Sequence, residues 1–331
     1  MTTSLAKTAV QMMKARMKEL NATPGTVQAA VLPTLTNDVM MALPKRQTLN
    51  RILQNTRQQS QTTSGLPPVP RDCFFVIPQL FAEFVLYDSG PGENRIILLG
   101  CNELLDGLAR ADVWLADGTF KVVPDIFFQL YSIHFNFMNG FNPAALYCIV
   151  SDKTTETYGK ILQQLALLIP DAAPRVILVD YERAAINSFR NAYQNPTVSG
   201  CYFHLCQSIN RKVNELGLKT VYESNNDFRI YVRCFPALAF VPPGDVIDAF
   251  DILSETKPDG LQEETIDQLN LFIDFFEHTY VRGRRLRGKG ENYGQLVFSI
   301  DLWNKHASSL DGIARSTNAV EGWHHGLQSL Y

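Results

Sequence analysis

Between residues 113 and 193 the apolar and polar positions change period repeatedly, and each change predicts an element. Residues 113–120, "VWLADGTF", read as a strand that is apolar up to Asp117 and followed by Gly118. Residues 127–137, "FFQLYSIHFNF", are aromatic and β-branched and predict a second strand. Asn139-Gly140 is a strong hairpin signal, and residues 144–150 supply the third strand. Residues 154–168, "TTETYGKILQQLALL", have helical apolar spacing and stop before Pro170. Residues 176–180 are a continuous buried-type strand ending at Asp180, and 182–193 are a second helix. The order is three meandering strands, a helix, a strand and a helix.

That order has a spatial consequence. A strand reached through a helical crossover pairs parallel to an earlier strand of the same sheet. If 176–180 lies beside 113–117, Asp117 and Asp180 share the carboxyl edge of neighbouring strands, roughly 4.8 Å apart. Open α/β sheets bind ligands at that edge. Gly118 would then let a bulky group approach the backbone.

The flanks are less regular. Residues 5–20 and 45–58 predict helices, the second one basic, and "QQSQTTSGLPPVP" at 58–70 reads as a linker. Residues 74–100 offer two β-like runs split by the turn signal "DSGPGEN". From Cys201 the pattern is mostly helical. It closes with "STNAVEGWHHGLQSLY", where Ser316, Thr317 or Asn318 can cap a helix carrying Glu321 in its first turn. The expected division is a basic helical arm and linker (1–66), a first part of an α/β domain (67–215), a helical insertion (216–310) and a glutamate-bearing helix (311–331).

Composition narrows the class. The 331 residues are 46% hydrophobic and 19% charged, enough for a sizeable core. No apolar run is long enough for a membrane span, and the amino terminus lacks a signal peptide's apolar middle. Six irregularly spaced cysteines read as reduced thiols of a cytosolic or nuclear protein. Residues 1–65 carry eight Lys or Arg against two acids, a balance of +6. With −3 for the chain, the remainder stands at −9. A basic segment on an acidic body suits either phosphate contact or a solvated helix.

Two neighbouring carboxylates repel unless a cation lies between them. Magnesium prefers hard oxygen ligands and leaves positions for water or phosphate. A pair of such ions can serve in-line displacement at phosphorus. A third carboxylate on another element is then needed, and Glu321 is the best placed in the last third of the chain.

Four ordered blocks carry a resemblance: "WLADGTFKVVPDIFFQLYSIH", "VDYERAAINSF", "GCYFHLCQSINRKV" and "TNAVEGWHHGLQ". Over roughly residues 70–331 the chain resembles the catalytic region of Mutator-like element (MULE) transposases, DDE recombinases. The resemblance implies an α/β fold: a ribonuclease-H-like mixed sheet with flanking helices and an all-helical insertion, here preceded by a small helical N-terminal arm. It implies Asp117, Asp180 and Glu321 as catalytic and metal-holding residues, Mg²⁺ or Mn²⁺ as cofactor with two ions, and Cys201 and His204 as the family's Cys-x-x-His pair. It also implies metal-dependent cleavage and strand transfer at transposon ends, double-stranded DNA (ends and target) as partner, and a nuclear location. A homodimer is compatible with this reading, and no membrane partner is expected.

Other residues leave alternatives open. Zinc needs four ligands in a structural site, and no spacing selects Cys206, Cys234, His324 or His325 to complete the Cys201–His204 pair. A packing or hydrogen-bonding role is favoured there over zinc. Arg282, Arg284, Arg285, Arg287 and Lys289 in "RGRRLRGKG", with Lys45, Arg46 and Arg51, are candidates for DNA phosphates. His324 could reach a phosphate or sit partly buried, and Trp323 could stack on a base or pack. The alternative function is a catalytically inactive, domesticated or truncated transposase that binds DNA. It is suggested by the end of the chain ten residues past Glu321 and by the lack of a zinc-module Cys/His cluster before Cys73. A cellular phosphodiesterase on the same sheet is a third reading, disfavoured by the helical insertion.

Overall fold

The computed structural model describes residues 2–18, 22–63, 70–137, 140–286 and 293–329. Residues 2–63 hold α1 (Thr2–Arg16), α2 (Pro24–Val31), α3 (Asn37–Met41) and α4 (Arg46–Thr63). Met13, Met17, Val27, Val31, Leu49 and Leu53 form a small core among them. The expected arm is therefore a packed unit. The sequence pattern predicts its first and last helices but neither α3 nor α2, which begins at a Thr23–Thr26 capping box with Pro24 at the first helical position. The expected linker (58–70) differs at its start, where residues 58–63 continue α4, and residues 64–69 of it lie outside the described residues.

The strands are β1 (Val85–Asp88), β2 (Ile96–Gly100), β3 (Val113–Thr119), β4 (Gln129–Phe135), β5 (Ala144–Val150), β6 (Val176–Val179) and β7 (Thr197–Gly200). They form one mixed sheet in the order β1-β2-β5-β4-β3-β6-β7. β3, β4 and β5 pair antiparallel, while β6 runs parallel to β3 and β7 parallel to β6. This is the expected α/β, ribonuclease-H-like mixed sheet. Strand β5 and the crossover helix match their sequence-based ranges to within a residue. Two features differ. The apolar run before β1 forms a 3₁₀ segment at Gln79–Phe84, preceded by Pro78, which has no ladder donor. β7, "TVSG", is too short and polar to announce itself, and forms because β6 offers an open edge.

The two faces of the sheet have different work. On one face Trp114, Ala116, Tyr131, Ile133 and Phe135 pack under α5 (Asn102–Arg110), α6 (Thr155–Leu168) and α7 (Arg183–Ala192). Helix α6 starts at Thr154, whose hydroxyl accepts the Thr157 N–H. The alternate residues point to the other face, since side chains alternate along a strand.

After β7 comes the helical insertion: α8 (Tyr202–Glu215), α9 (Lys219–Ser224), α10 (Asn226–Ala237), α11 (Val246–Glu255), α12 (Glu263–Phe276), a π-helical turn at Glu277–Val281, α13 (Ile300–Trp303) and α14 (His306–Leu310). Its core is aromatic, built on Phe228, Phe235, Phe250, Phe272, Phe276, Tyr280 and Trp303. Ile209 and Val213 of α8, the helix that ends at Glu215 just before the expected boundary at 215/216, also belong to that core. The last helix is α15 (Asn318–Ser329).

Candidate active site

Packing explains how residues far apart in the chain meet. Leu115 of β3 and Leu178 of β6 are parallel-strand partners, and both bury against Val320 of α15. Asp117 lies two positions beyond Leu115, and Asp180 two beyond Leu178. Both therefore emerge on the face that α15 covers, in register and one strand spacing apart. Glu321 follows Val320. Its helix is fastened at the start: Tyr202 N–H donates to the Arg315 carbonyl at 2.8 Å, and Thr317 N–H to Cys201 Sγ at 3.2 Å. The geometry thus brings Asp117, Asp180, Glu321, Cys201 and His204 to one edge of the sheet.

The electrostatics record the crowding. Burial, then the charge of Asp180 and more weakly that of Glu321, raises the Asp117 carboxyl to about 7 against the help of His204 and its own Gly118 N–H. Burial raises Asp180 as well, although the Glu182 N–H donates to it at 3.2 Å. Burial also raises Glu321, opposed by His204. His204 is the local cation. Burial disfavours its charge, but Cys201, Asp117 and Asp180 outweigh that and raise it to about 9. Its Nε2 lies 3.2 Å from Glu321 Oε1. Nδ1 of His204 is buried, and Cys201 is the neighbour that most favours the charged ring. Cys201, the other half of the pair, is fully buried and spends its sulfur on Thr317.

A hard divalent cation suits this donor set of three desolvated carboxylates that repel one another. Among the described residues, however, no three His, Cys, Asp or Glu side chains are preset to hold a metal ion. Glu321 is turned to His204, so gripping a cation requires it to change partner.

Sequence reasoning missed several participants. Gln129 and Tyr131 fill the space beside Gly118, where an added Cβ would collide with the Gln129 amide. The small residue therefore admits a neighbouring side chain of the sheet rather than a ligand. Tyr158 bridges Gln129 and Glu182 through its hydroxyl at 3.0 and 3.1 Å. Ser132 and His134, fully buried on β4, face Asp117 and α15. Two polar residues at i and i+2 in the middle of a largely apolar strand were the available signal. A cavity of about 510 Å³ opens beside Asp180 and His204, lined also by Phe120, Lys153, Arg211, Lys212 and Phe275.

Of the expected phosphate-binding residues, Lys45, Arg46 and Arg51 are exposed on or just before α4, and Arg284 and Arg285 are exposed near the end of the insertion. Arg282 is engaged with Asp251 at 2.5 and 2.6 Å and with Glu277 at 3.2 Å. Arg287 and Lys289 lie outside the described residues. His324 is buried beside Asp117 and Ser132. Trp323 packs against Tyr147 and His134, with ring centroids 5.2 and 5.4 Å away.

Residues 113–208 match the family model of the MULE transposase domain. Over that stretch the chain is similar to the MULE transposase domain. The matched stretch contains Asp117, Asp180, Cys201 and His204, and Glu321 lies beyond it. No curated protein matches the chain. Among solved structures, the Drosophila P element transposase strand transfer complex aligns over 96% of this chain and 80% of that one, at 11% identity and a TM-score of 0.27.

Proposed function

We propose that this chain cleaves and transfers DNA phosphodiesters, with Asp117, Asp180 and Glu321 gripping Mg²⁺ or Mn²⁺ at the carboxyl edge of the sheet. The observation that carries the reading is the Leu115–Leu178–Val320 contact, because it seats all three carboxylates on one face. Bound there, a divalent cation would activate water and stabilise charge on the leaving oxygen. The chain's own groups do the rest. Gly118 N–H orients the Asp117 carboxylate, Glu182 N–H orients Asp180, and His204 balances the negative charge until a cation arrives. Lys153, Arg211 and Lys212 beside the site, with exposed Arg284 and Arg285, would steer the DNA backbone. A nuclear location follows from this reading as part of the same proposal, as do transposon ends and target DNA as substrates.

Incubating the protein with its terminal-repeat duplex and Mn²⁺ should produce nicks that vanish in Asp117→Ala and Asp180→Ala. Cleavage that persists undiminished in both variants refutes the assignment. The Glu321–His204 pairing favours a second reading, a DNA-binding protein without catalysis. It requires salt-sensitive DNA binding and no nicking with any divalent metal.

A further inference from the structure

The hydrogen bonds around Asp117 fix one tautomer, and from it a further role follows. His134 Nδ1 lies 3.1 Å from the Asn142 carbonyl. A carbonyl only accepts, so Nδ1 carries the proton. His134 is fully buried and burial pushes its pKa down to about 4, so the ring is neutral and Nε2 is an acceptor. Ser132 Oγ, 3.0 Å from that Nε2, must therefore donate to it. Its single proton is then spent. Ser132 can only accept from His324 Nε2, 2.9 Å away, which places the His324 proton on Nε2.

With its Nε2 engaged by Ser132, His324 turns its other ring nitrogen, Nδ1, to Asp117 Oδ2 at 3.7 Å. That distance is too long for a hydrogen bond. One oxygen and one nitrogen, each able to ligate a cation, look at each other across a gap. The placement is built by the fold: His324 is one helical turn past Val320, so it falls on the same stripe of α15. Its relay partner Ser132 is the cross-strand neighbour of Asp117. Trp323, packed on Tyr147 and His134, covers the relay.

We propose that His324 Nδ1 is a nitrogen ligand to the divalent ion held by Asp117, with Ser132 and His134 as the positioning residues that keep Nδ1 deprotonated. A carboxylate–imidazole donor set tilts selectivity toward Mn²⁺ and away from Mg²⁺, which takes oxygen ligands. Outer residues that orient a ligating imidazole are worth about 10–100-fold in metal affinity in comparable sites. The proposal rests on the three-carboxylate reading given above.

Pulsed electron paramagnetic resonance of the Mn²⁺-loaded full chain tests it directly. Modulation from a coordinated ¹⁴N is expected in the wild type, abolished in His324→Ala and retained in His204→Ala. Mn²⁺ titration should show affinity weakened about tenfold in His324→Ala, with a smaller change for Mg²⁺. Ser132→Ala keeps His324 but removes the acceptor that fixes its tautomer, and should also weaken Mn²⁺ binding about tenfold. That variant decides the matter should His324→Ala not fold. Nitrogen modulation that is absent from the wild type, or unchanged in the His324 and Ser132 variants, overturns the proposal. Failure of the wild type to bind Mn²⁺, or full binding by Asp117→Ala, brings down the carboxylate reading and this inference together.

Discussion

The sheet edge and the helical insertion solve opposite problems within one chain. The insertion buries rings on rings: Phe235 meets Phe272, Phe276 and Phe250 at 5.0–6.4 Å between centroids, and Trp303 donates its indole N–H to the Tyr280 carbonyl at 2.8 Å. The buried rings of that cluster are apolar or, as in Tyr231, Tyr280 and Trp303, have their polar atom hydrogen-bonded, so burying them is net stabilising. The sheet edge instead buries Asp117, Ser132, His134 and His324 within hydrogen-bonding reach or charge range of one another. Such groups cost stability unless fully paired. The difference teaches that one body supplies the stability and the other uses it to hold charges where water would not leave them.

The largest effect should come from breaking the stabilising side. Phe276→Ala removes a fully buried ring that packs on Phe235, Phe250, Tyr280 and Trp303. A destabilisation of about 3–5 kcal/mol is expected, read by chemical denaturation. If the insertion merely decorates the fold, the change will stay under about 1 kcal/mol.

The other side should respond in the opposite direction. Asp117 has its folded pKa raised to about 7, above the unfolded value near 4, so the folded state holds the proton more tightly. The metal-free protein therefore loses stability as pH rises from about 4 through 7. Asp117→Asn removes that penalty. It should be more stable than the wild type by on the order of 2 kcal/mol at pH 8 and no more stable at pH 4. Thermal unfolding in chelator across this range checks the sign, and a variant less stable at pH 8 contradicts it. By the same linkage, Mn²⁺ should bind the wild type more tightly at pH 8 than at pH 6.

Lys305 offers a milder version of the same experiment. It is buried where α14 begins, with Nζ against Ser199 Oγ of β7, and burial lowers it to about 8 despite the nearby Cys201. A depressed lysine penalises the folded state at neutral pH, and the penalty fades as pH rises from 8 through the unfolded value. Lys305→Met should therefore raise stability by about 1 kcal/mol at pH 7, less at pH 10. Equal effects at both pH values would mean that packing, not charge, sets the outcome.

How much of this was written in the sequence follows the same division. Strands β3, β4 and β5 and helices α6 and α7 declare themselves, because apolar periodicity is imposed by a buried face. Asp117 and Asp180 stood out as carboxylates closing apolar runs, and parallel pairing could be inferred from the helical crossover. The relay of Ser132, His134 and His324 was not legible, since its members are joined only by the register of β4 against β3 and by the seat of α15. Arg282 looked like one more cation in a basic run, and Asp251 that engages it lies thirty-one residues earlier. Spacing along a chain does not report such pairs.

Arg282 gives the smallest and most discriminating test. Its guanidinium is committed to Asp251 and Glu277 and stabilises the junction between α11 and the π-helical turn. Arg284 and Arg285, two and three residues on, are exposed. If the basic run meets DNA, only exposed members can neutralise phosphates, and each phosphate left unneutralised lowers the salt dependence of binding by about one unit of slope. Arg284→Gln and Arg285→Gln should each weaken duplex binding a fewfold and flatten the plot of log affinity against log salt. Arg282→Gln should leave that slope unchanged while lowering stability by roughly 1 kcal/mol through its carboxylate partners. Fluorescence anisotropy over a salt series separates the two. A slope that falls for Arg282→Gln as much as for its neighbours would mean that the Asp251 pair opens when DNA arrives, and that the insertion, too, takes part in holding charge.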